Sequence, residues 1–273
     1  MIKIERIGSL RNQLGEGPLW DDELQCFFWI DSLNGEIWGL EKDDAFKRYI
    51  ISEMIGSLAI IDDDTAILAL KTGLYLFSFS TQSLNKIWDL KNNQIDLRLN
   101  DGKTDRHGNF IVGSMCMKDR RQPRAALYRI NSELSVEVLE EDVIVTNGPC
   151  FSPNGSTFYF NDGRGRILAY DYDPKGPLKN KRIFFDGSKH GTSSDGATVA
   201  LDGNIWTALT GSHEIGCISP SGDLITRIPM PVKLPSSVMF GGTSLNELFV
   251  TSISNSGNRV SREHLAGSLF KTV

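Results

Sequence analysis

Apolar residues along this chain come in short runs, rich in β-branched and aromatic side chains and cut by Gly, Asn, Asp and Pro. That pattern predicts strands and turns rather than amphipathic helices. The runs come in pairs. "CFFWID" and "EIWGLE" flank "SLNG"; "TAILAL" and "LYLFSF" flank "KTG"; "STFYFND" and "RILAYDYD" flank "GRG". "NFIVGSM" precedes "ALYRIN", "NIWTAL" precedes "IGCISP", and "ELFVTS" precedes "GSLFKTV". A polar turn leads each pair, at Asp22-Glu23, Asp63-Asp64, His107-Gly108, Asn154-Gly155, Asp202-Gly203 and Ser244-Leu245, about 41 to 48 residues apart. Six units at the period of a four-stranded blade predict an all-β, six-bladed β-propeller. We expect one domain over residues 1–273, closed by pairing of the N-terminal segment with the last blade. Trp20, Trp29, Trp38 and Trp206 fall within strand patterns and are expected in the core between blades.

Candidate chemistry follows from the same register. Eight residues before the turn glycines Gly108, Gly155 and Gly203 stand Asn100, Asn147 and Asp195. The other three units lack the turn glycine, and eight residues before Leu24, Asp64 and Ser244 stand Glu16, Gly56 and Ser236. Singly, Asn-Gly and Asp-Gly are ordinary tight-turn dipeptides, and a lone Glu is an ordinary solvated charge. Their shared register sets them apart. If the strand after each position is the innermost of its blade, the six residues ring one mouth of the central channel. The ring holds two carboxylates and two amides, a donor set for calcium, magnesium or manganese.

Composition narrows the picture. The chain has 273 residues, is 40% hydrophobic and 23% charged, and carries a formal net charge of -5. No basic stripe suggests a nucleic-acid partner, and no apolar run reaches the length of a membrane span. The N-terminus lacks the apolar segment of a signal peptide. Cys26, Cys116, Cys150 and Cys217 are scattered without C-x-x-C spacing, which reads as reduced core thiols in a cytoplasmic protein.

Several stretches, in order, resemble the senescence marker protein/gluconolactonase (regucalcin-like) family over essentially the whole length. They are "LGEGPLW", "WIDSLNGEIW", "RLNDGKTDRHGNFIVGSM", "TNGPCFSPNGSTFYFNDGRGRILAYDYD", "SDGATVALDGNIWTA" and "PSSVMFGGTSLNELFVTS". The resemblance implies a six-bladed propeller with one divalent metal ion (calcium, zinc, magnesium, manganese or iron) near its axis, acting on a small-molecule sugar lactone. Carried over by motif, it makes Glu16, Asn147 and Asp195 metal ligands, Asp195 also the catalytic base, and Arg98 and Asn100 substrate contacts. Two departures stand out. Lys118 occupies the region where family members often place a substrate-contacting Glu, followed by Asp119, Arg120, Arg121 and Arg124. Ser194 replaces the usual Pro before Asp195.

The activity expected from these residues is metal-dependent hydrolysis of an aldonolactone. Asp195 either takes the proton of the attacking water or steers a hydroxide. No G-x-S-x-G nucleophile elbow is present. The alternative is a non-enzymatic calcium-binding or regulatory propeller. A scaffold that binds protein partners through its rim loops fits the short loops less well. If Lys118 and the arginines after it overhang the channel mouth, the lactone carries an anionic group; otherwise that run is a solvated loop.

Overall fold

The computed structural model describes residues 2–90 and 96–272. They form six four-stranded antiparallel sheets, with strands numbered in chain order. The first strand of each sheet is β2 (Gly15–Asp21), β6 (Ile55–Ile60), β10 (Leu97–Thr104), β14 (Asn147–Phe151), β18 (Ser194–Val199) and β22 (Pro235–Gly241). These six pack against one another in sequence, and β22 returns to β2, so they close a ring around an axis. The chain is a six-bladed β-propeller, as expected.

The second strands are β3 (Cys26–Asp31), β7 (Thr65–Leu70), β11 (Phe110–Cys116), β15 (Thr157–Asn161), β19 (Ile205–Leu209) and β23 (Glu247–Ser252). They are buried almost throughout because both faces of each blade are covered by its neighbours. In β3 the alternation of side chains serves two cores at once. Cys26, Phe28 and Ile30 pack towards the second blade, against Leu58, Leu68 and Phe77. Phe27 and Trp29 pack towards the sixth, against Phe249 and Leu269. That two-sided burial turns an alternating strand pattern into the continuous apolar run "CFFWI". Trp29 is fully buried, and Trp20, Trp38 and Trp206 are partly buried against inter-blade cores. The four cysteines are buried, free thiols.

The outermost strands carry no such signal. β5 (Phe46–Ile50), β9 (Leu84–Asp89), β13 (Val136–Val143), β17 (Lys179–Asp186) and β21 (Leu224–Pro229) are largely exposed, and all but β21 are charge-rich, as in "KNKRIFFD". The sixth blade borrows its outer strand from the other end of the chain. β1 (Ile4–Ile7) pairs antiparallel with β24 (Leu269–Thr272), Ile4 opposite Thr272 and Ile7 opposite Leu269. This is the expected closure. No helix of the described residues is long and apolar enough to cross a membrane.

One irregularity repeats six times. Each innermost strand loses register with the second strand of its blade near its leading end. The breaks fall between Glu16 and Leu19, Ile55 and Ser57, Leu99 and Gly102, Asn147 and Cys150, Ser194 and Ala197, and Pro235 and Ser237. Every ring position inferred from the sequence lies at or inside such a bulge. A bulge bends the strand and re-aims a side chain that a regular ladder would point at the neighbouring blade.

Candidate active site

The bulges of the first, third, fourth and fifth blades turn their side chains into one cavity of about 510 Å³. Glu16, Arg98, Asn100, Asp101, Asn147 and Asp195 line its floor, and Arg120, Arg121, Asn258 and Arg259 stand at its open end. Gly56 of the second blade also lines it.

The backbone around Glu16 explains its glycine neighbours. Gly17 adopts φ 55°, and Gly148, which follows Asn147, adopts φ 56°. Both lie in the left-handed region that a side chain disfavours. The chain ahead of Glu16 is pinned from the second strand of its own blade. Asp31 accepts the backbone N–H groups of Gln13 (2.7 Å) and Leu14 (3.1 Å), and the Trp29 indole donates to Asn12 Oδ1 (3.0 Å). The motif "WID" therefore aims "LGEG", and the apolar run hides a polar clamp.

A chain of amides joins three blades. Asn100 Nδ2 donates to the Thr146 carbonyl (2.8 Å) and to Asn147 Oδ1 (2.7 Å). Asn147 Nδ2 donates to Asp195 Oδ1 (2.6 Å). Both amide orientations are forced, because a backbone carbonyl at one end and a carboxylate at the other can only accept. One consequence concerns Asn100. Both of its N–H donors are committed within the protein, so only Oδ1 remains to meet another group. A second concerns Asn147, whose Oδ1 keeps a lone pair after accepting from Asn100.

Supporting contacts hold this chain in place. Asp101 accepts the backbone N–H of Gly148 (2.7 Å) and of Gly102 (2.9 Å), tying the third blade to the fourth beside Asn147. Asn161 Nδ2 donates to Ser194 Oγ (2.7 Å), an acceptor that a proline at this position would lack. Thr210 Oγ1 lies 3.1 Å from Asp195 Oδ2 and 2.7 Å from the Pro235 carbonyl. Arg259 Nη1 approaches Asp195 Oδ2 at 3.7 Å.

The electrostatics are those of acids crowded away from water. The Glu16 carboxyl lines the cavity. It is held well above the usual carboxylate range, first by burial and then by the charges of Asp195 and Asp101, with Arg98 opposing. Burial raises Asp195 to about 6, against the pull of Arg259. Burial lowers Arg98 to about 10; the nearby Arg120 adds to this and Glu16 opposes it. Among the described residues no three His, Cys, Asp or Glu side chains gather as a metal-binding group. Any cation held here by three protein ligands therefore takes at least one of them from outside those four residue types.

Five of the six residues named from sequence as site residues share this cavity: Glu16, Arg98, Asn100, Asn147 and Asp195. Lys118 does not. Its side chain is 78% exposed and paired with Asp96 at 3.1 Å, on the solvent side of the loop that carries it. The cavity instead receives Arg120 and Arg121 from that loop. Sequence reasoning missed Asp101, although it sits inside a quoted motif. It also missed Thr210, Asn258 and Arg259, which no spacing marks because they lie outside the innermost strands.

Comparison with known proteins identifies the family. Residues 14–254 match the family described as SMP-30/Gluconolactonase/LRE-like region. The chain belongs to that family. Among its relatives, the L-arabinolactonase of Azospirillum brasilense is 31% identical over 274 residues, covering 97% of this chain and 89% of that protein. The 6-deoxy-6-sulfogluconolactonase of Pseudomonas putida is 28% identical, covering 95% and 90%. The solved structure of a calcium-binding regucalcin from Agrobacterium tumefaciens superposes with a TM-score of 0.90 at 25% identity, covering 97% of this chain and 92% of that one. Family membership agrees with the resemblance read from the motifs.

Proposed function

We propose that the protein is a divalent-metal-dependent lactonase that opens a sugar lactone to the sugar acid. The observation that carries this reading is the convergence of Glu16, Asn147 and Asp195 from three blades on one cavity, with the Asn147 amide oriented by Asn100. The two relatives named as lactonases support it. Their names share the lactone and differ in the sugar, so lactone opening is what we carry over.

The residues present fit a cation. Two carboxylates and one amide oxygen form an all-oxygen set, which suits hard ions such as calcium, magnesium or manganese. Buried acids that repel one another are stabilised as anions by a shared positive charge. Glu16, Asn147 and Asp195 would hold the ion, and their small number leaves room for substrate and water. A divalent ion in that place supplies Lewis acidity towards a carbonyl.

The chain's own residues account for the rest. The Arg98 guanidinium uses Nη1 on the Leu99 carbonyl (2.8 Å), and its remaining donors are available to the hydroxyls of the sugar. Asn100 Oδ1 accepts from a sugar hydroxyl. Asp195, whose carboxylate is held by the Asn147 amide and the Thr210 hydroxyl, takes the proton of the attacking water. As the acyl–oxygen bond breaks, the ring oxygen leaves as the hydroxyl of the open sugar acid and takes up that proton.

The test is acid release from glucono-1,5-lactone and arabinono-1,4-lactone, followed beyond spontaneous opening with each ion added to chelator-treated protein. Hydrolysis restored by at least one ion is expected. In parallel, calorimetric titration with that ion should show Glu16→Gln weakening its binding by on the order of tenfold or more, the equivalent of about 1.4 kcal/mol. Ion binding without turnover on these lactones and on their anionic analogues would return the chain to the non-enzymatic alternative.

A further inference from the structure

The charges of the cavity do not balance. Its lining includes three carboxylates, Glu16, Asp101 and Asp195, and four arginines, Arg98, Arg120, Arg121 and Arg259. With all seven groups ionised the lining carries one excess positive charge, and a divalent ion on the floor, which would keep the acids ionised, raises the excess to three. The arginines are not spent on the acids. Only Arg259 comes within ion-pair distance of one, at 3.7 Å from Asp195. Among the described residues no carboxylate pairs with Arg98, Arg120 or Arg121. Arg120 Nη1 donates to Asn258 Oδ1 (2.9 Å), a neutral acceptor that orients the guanidinium and ties the loop after β11 to the loop after β23 across the cavity mouth. One of its five N–H donors is used in this way.

The placement is directional. The carboxylates and the amide chain lie on the floor, whereas Arg120, Arg121 and Arg259 are exposed at the rim. Arg120 and Arg259 come from different blades yet feel each other's charge. Bringing like charges together at a cavity mouth is unfavourable unless an anion comes between them. Arginine, with its planar fork of donors, is the side chain best suited to grip a phosphate, sulfonate or carboxylate in two places.

We infer that the substrate carries an anionic group at the end remote from the lactone carbonyl, gripped at the cavity mouth by Arg120 with Arg121 and Arg259. The inference rests on the lactonase reading for the word lactone, and on the arginine cluster alone for the anion. It moves the anion contact from Lys118, which faces solvent, to residues that line the cavity.

The experiment compares glucono-1,5-lactone with its 6-phosphate, and adds glucaro-1,4-lactone as a carboxylate-bearing probe. We expect kcat/KM for at least one anionic lactone to exceed that for the neutral one by tenfold or more at low salt, and the advantage to shrink as salt rises. In Arg120→Ala the anionic-to-neutral ratio should fall by at least tenfold, about 1.4 kcal/mol of transition-state stabilisation. Lys118→Glu, on the solvent side, should move the ratio far less than Arg120→Ala does. Calorimetry gives a readout apart from turnover: 6-phosphogluconate should bind the ion-loaded protein more tightly than gluconate, with the difference reduced in Arg120→Ala. A ratio near one in the parent protein overturns the inference, as does a ratio indifferent to both Arg120→Ala and Arg121→Ala; either leaves the lactonase reading standing. If no lactone is opened at all, the lactonase reading fails, and the calorimetric preference decides for or against the anion site by itself.

Discussion

Asp195 in the fifth blade and Ser236 in the sixth occupy the same place in the repeat: each is the second residue of an innermost strand, inside a bulge, and buried. Their chemistry differs. Asp195 faces the cavity and is met there by Asn147, Thr210 and Arg259. Ser236 turns its hydroxyl back into the protein, to the Gly15 carbonyl and Thr251 Oγ1 (2.9 Å), beside the backbone of Glu16. In the second blade the position is Gly56, with no side chain to offer. The propeller thus builds six equivalent sockets, and the sequence arms only some of them. A bulge supplies an aiming device; the residue placed in it decides whether the device serves chemistry or closes the ring.

The most severe way to test that contrast is to empty two sockets in parallel. Asp195→Ala should lower kcat by on the order of 10³ or more, since it removes a ligand and the proposed base together, while the far-ultraviolet β signal stays unchanged. Ser236→Ala should instead act mainly on stability, costing about 1–3 kcal/mol for a buried carbonyl left without its donor, and should reduce turnover by less than tenfold. Equal losses of turnover in the two variants would erase the distinction drawn between armed and structural sockets.

A smaller effect should come from Asn100. Asn100→Asp keeps the shape but sets an acceptor against the Thr146 carbonyl and Asn147 Oδ1, so the amide of Asn147 loses its orientation. We expect kcat/KM to fall by on the order of 10- to 100-fold through the positioning of Asn147, with the affinity for the metal ion, measured separately by calorimetry, weakened as well. Unchanged metal affinity with reduced turnover would make Asn100 a substrate contact alone.

The smallest effect is a pH dependence that sets the armed sockets apart from the rest of the ring. Asp195 lies near 6 in the folded protein against an ordinary value of 3.8, and Glu16 is also raised. Ion-free folded protein thus holds these protons more tightly than the unfolded chain does. The contribution of Asp195 to stability is fully present below its unfolded value and is lost as pH rises through about 4 to 6, and that of Glu16 is lost in the same direction. Deprotonated, the same groups bind a cation, which stabilises the folded state. The gap in melting temperature between ion-loaded and chelated protein should therefore widen between pH 5 and pH 7. A gap that is flat across that range would mean that the ion does not compete with these protons, and would remove Asp195 and Glu16 from its site.

What could be read from the sequence follows a gradient from the axis outwards. Second strands such as "CFFWID" and "TAILAL" are legible because both faces are buried, so the apolar signal is unbroken. Outer strands such as "KNKRIFFD" face water, and no hydrophobic pattern marks them. The ring of Glu16, Gly56, Asn100, Asn147, Asp195 and Ser236 could be counted out because each position lies seven to nine residues before the second residue of a polar turn.

By itself, then, the sequence determined the number of blades, the register of the innermost strands and the residues standing at each bulge, since these depend on local periodicity and turn chemistry. The tertiary structure alone decided what those residues meet. Lys118 and Arg120 are two positions apart in one polar loop, yet one pairs with Asp96 in solvent and the other lines the cavity. Arg259 reaches Asp195 across 64 positions of chain, and Asn258 meets Arg120 across 138. The reason is geometric: a periodic pattern encodes which face of its own strand a residue occupies, whereas loop direction and contacts between blades arise only when the ring closes.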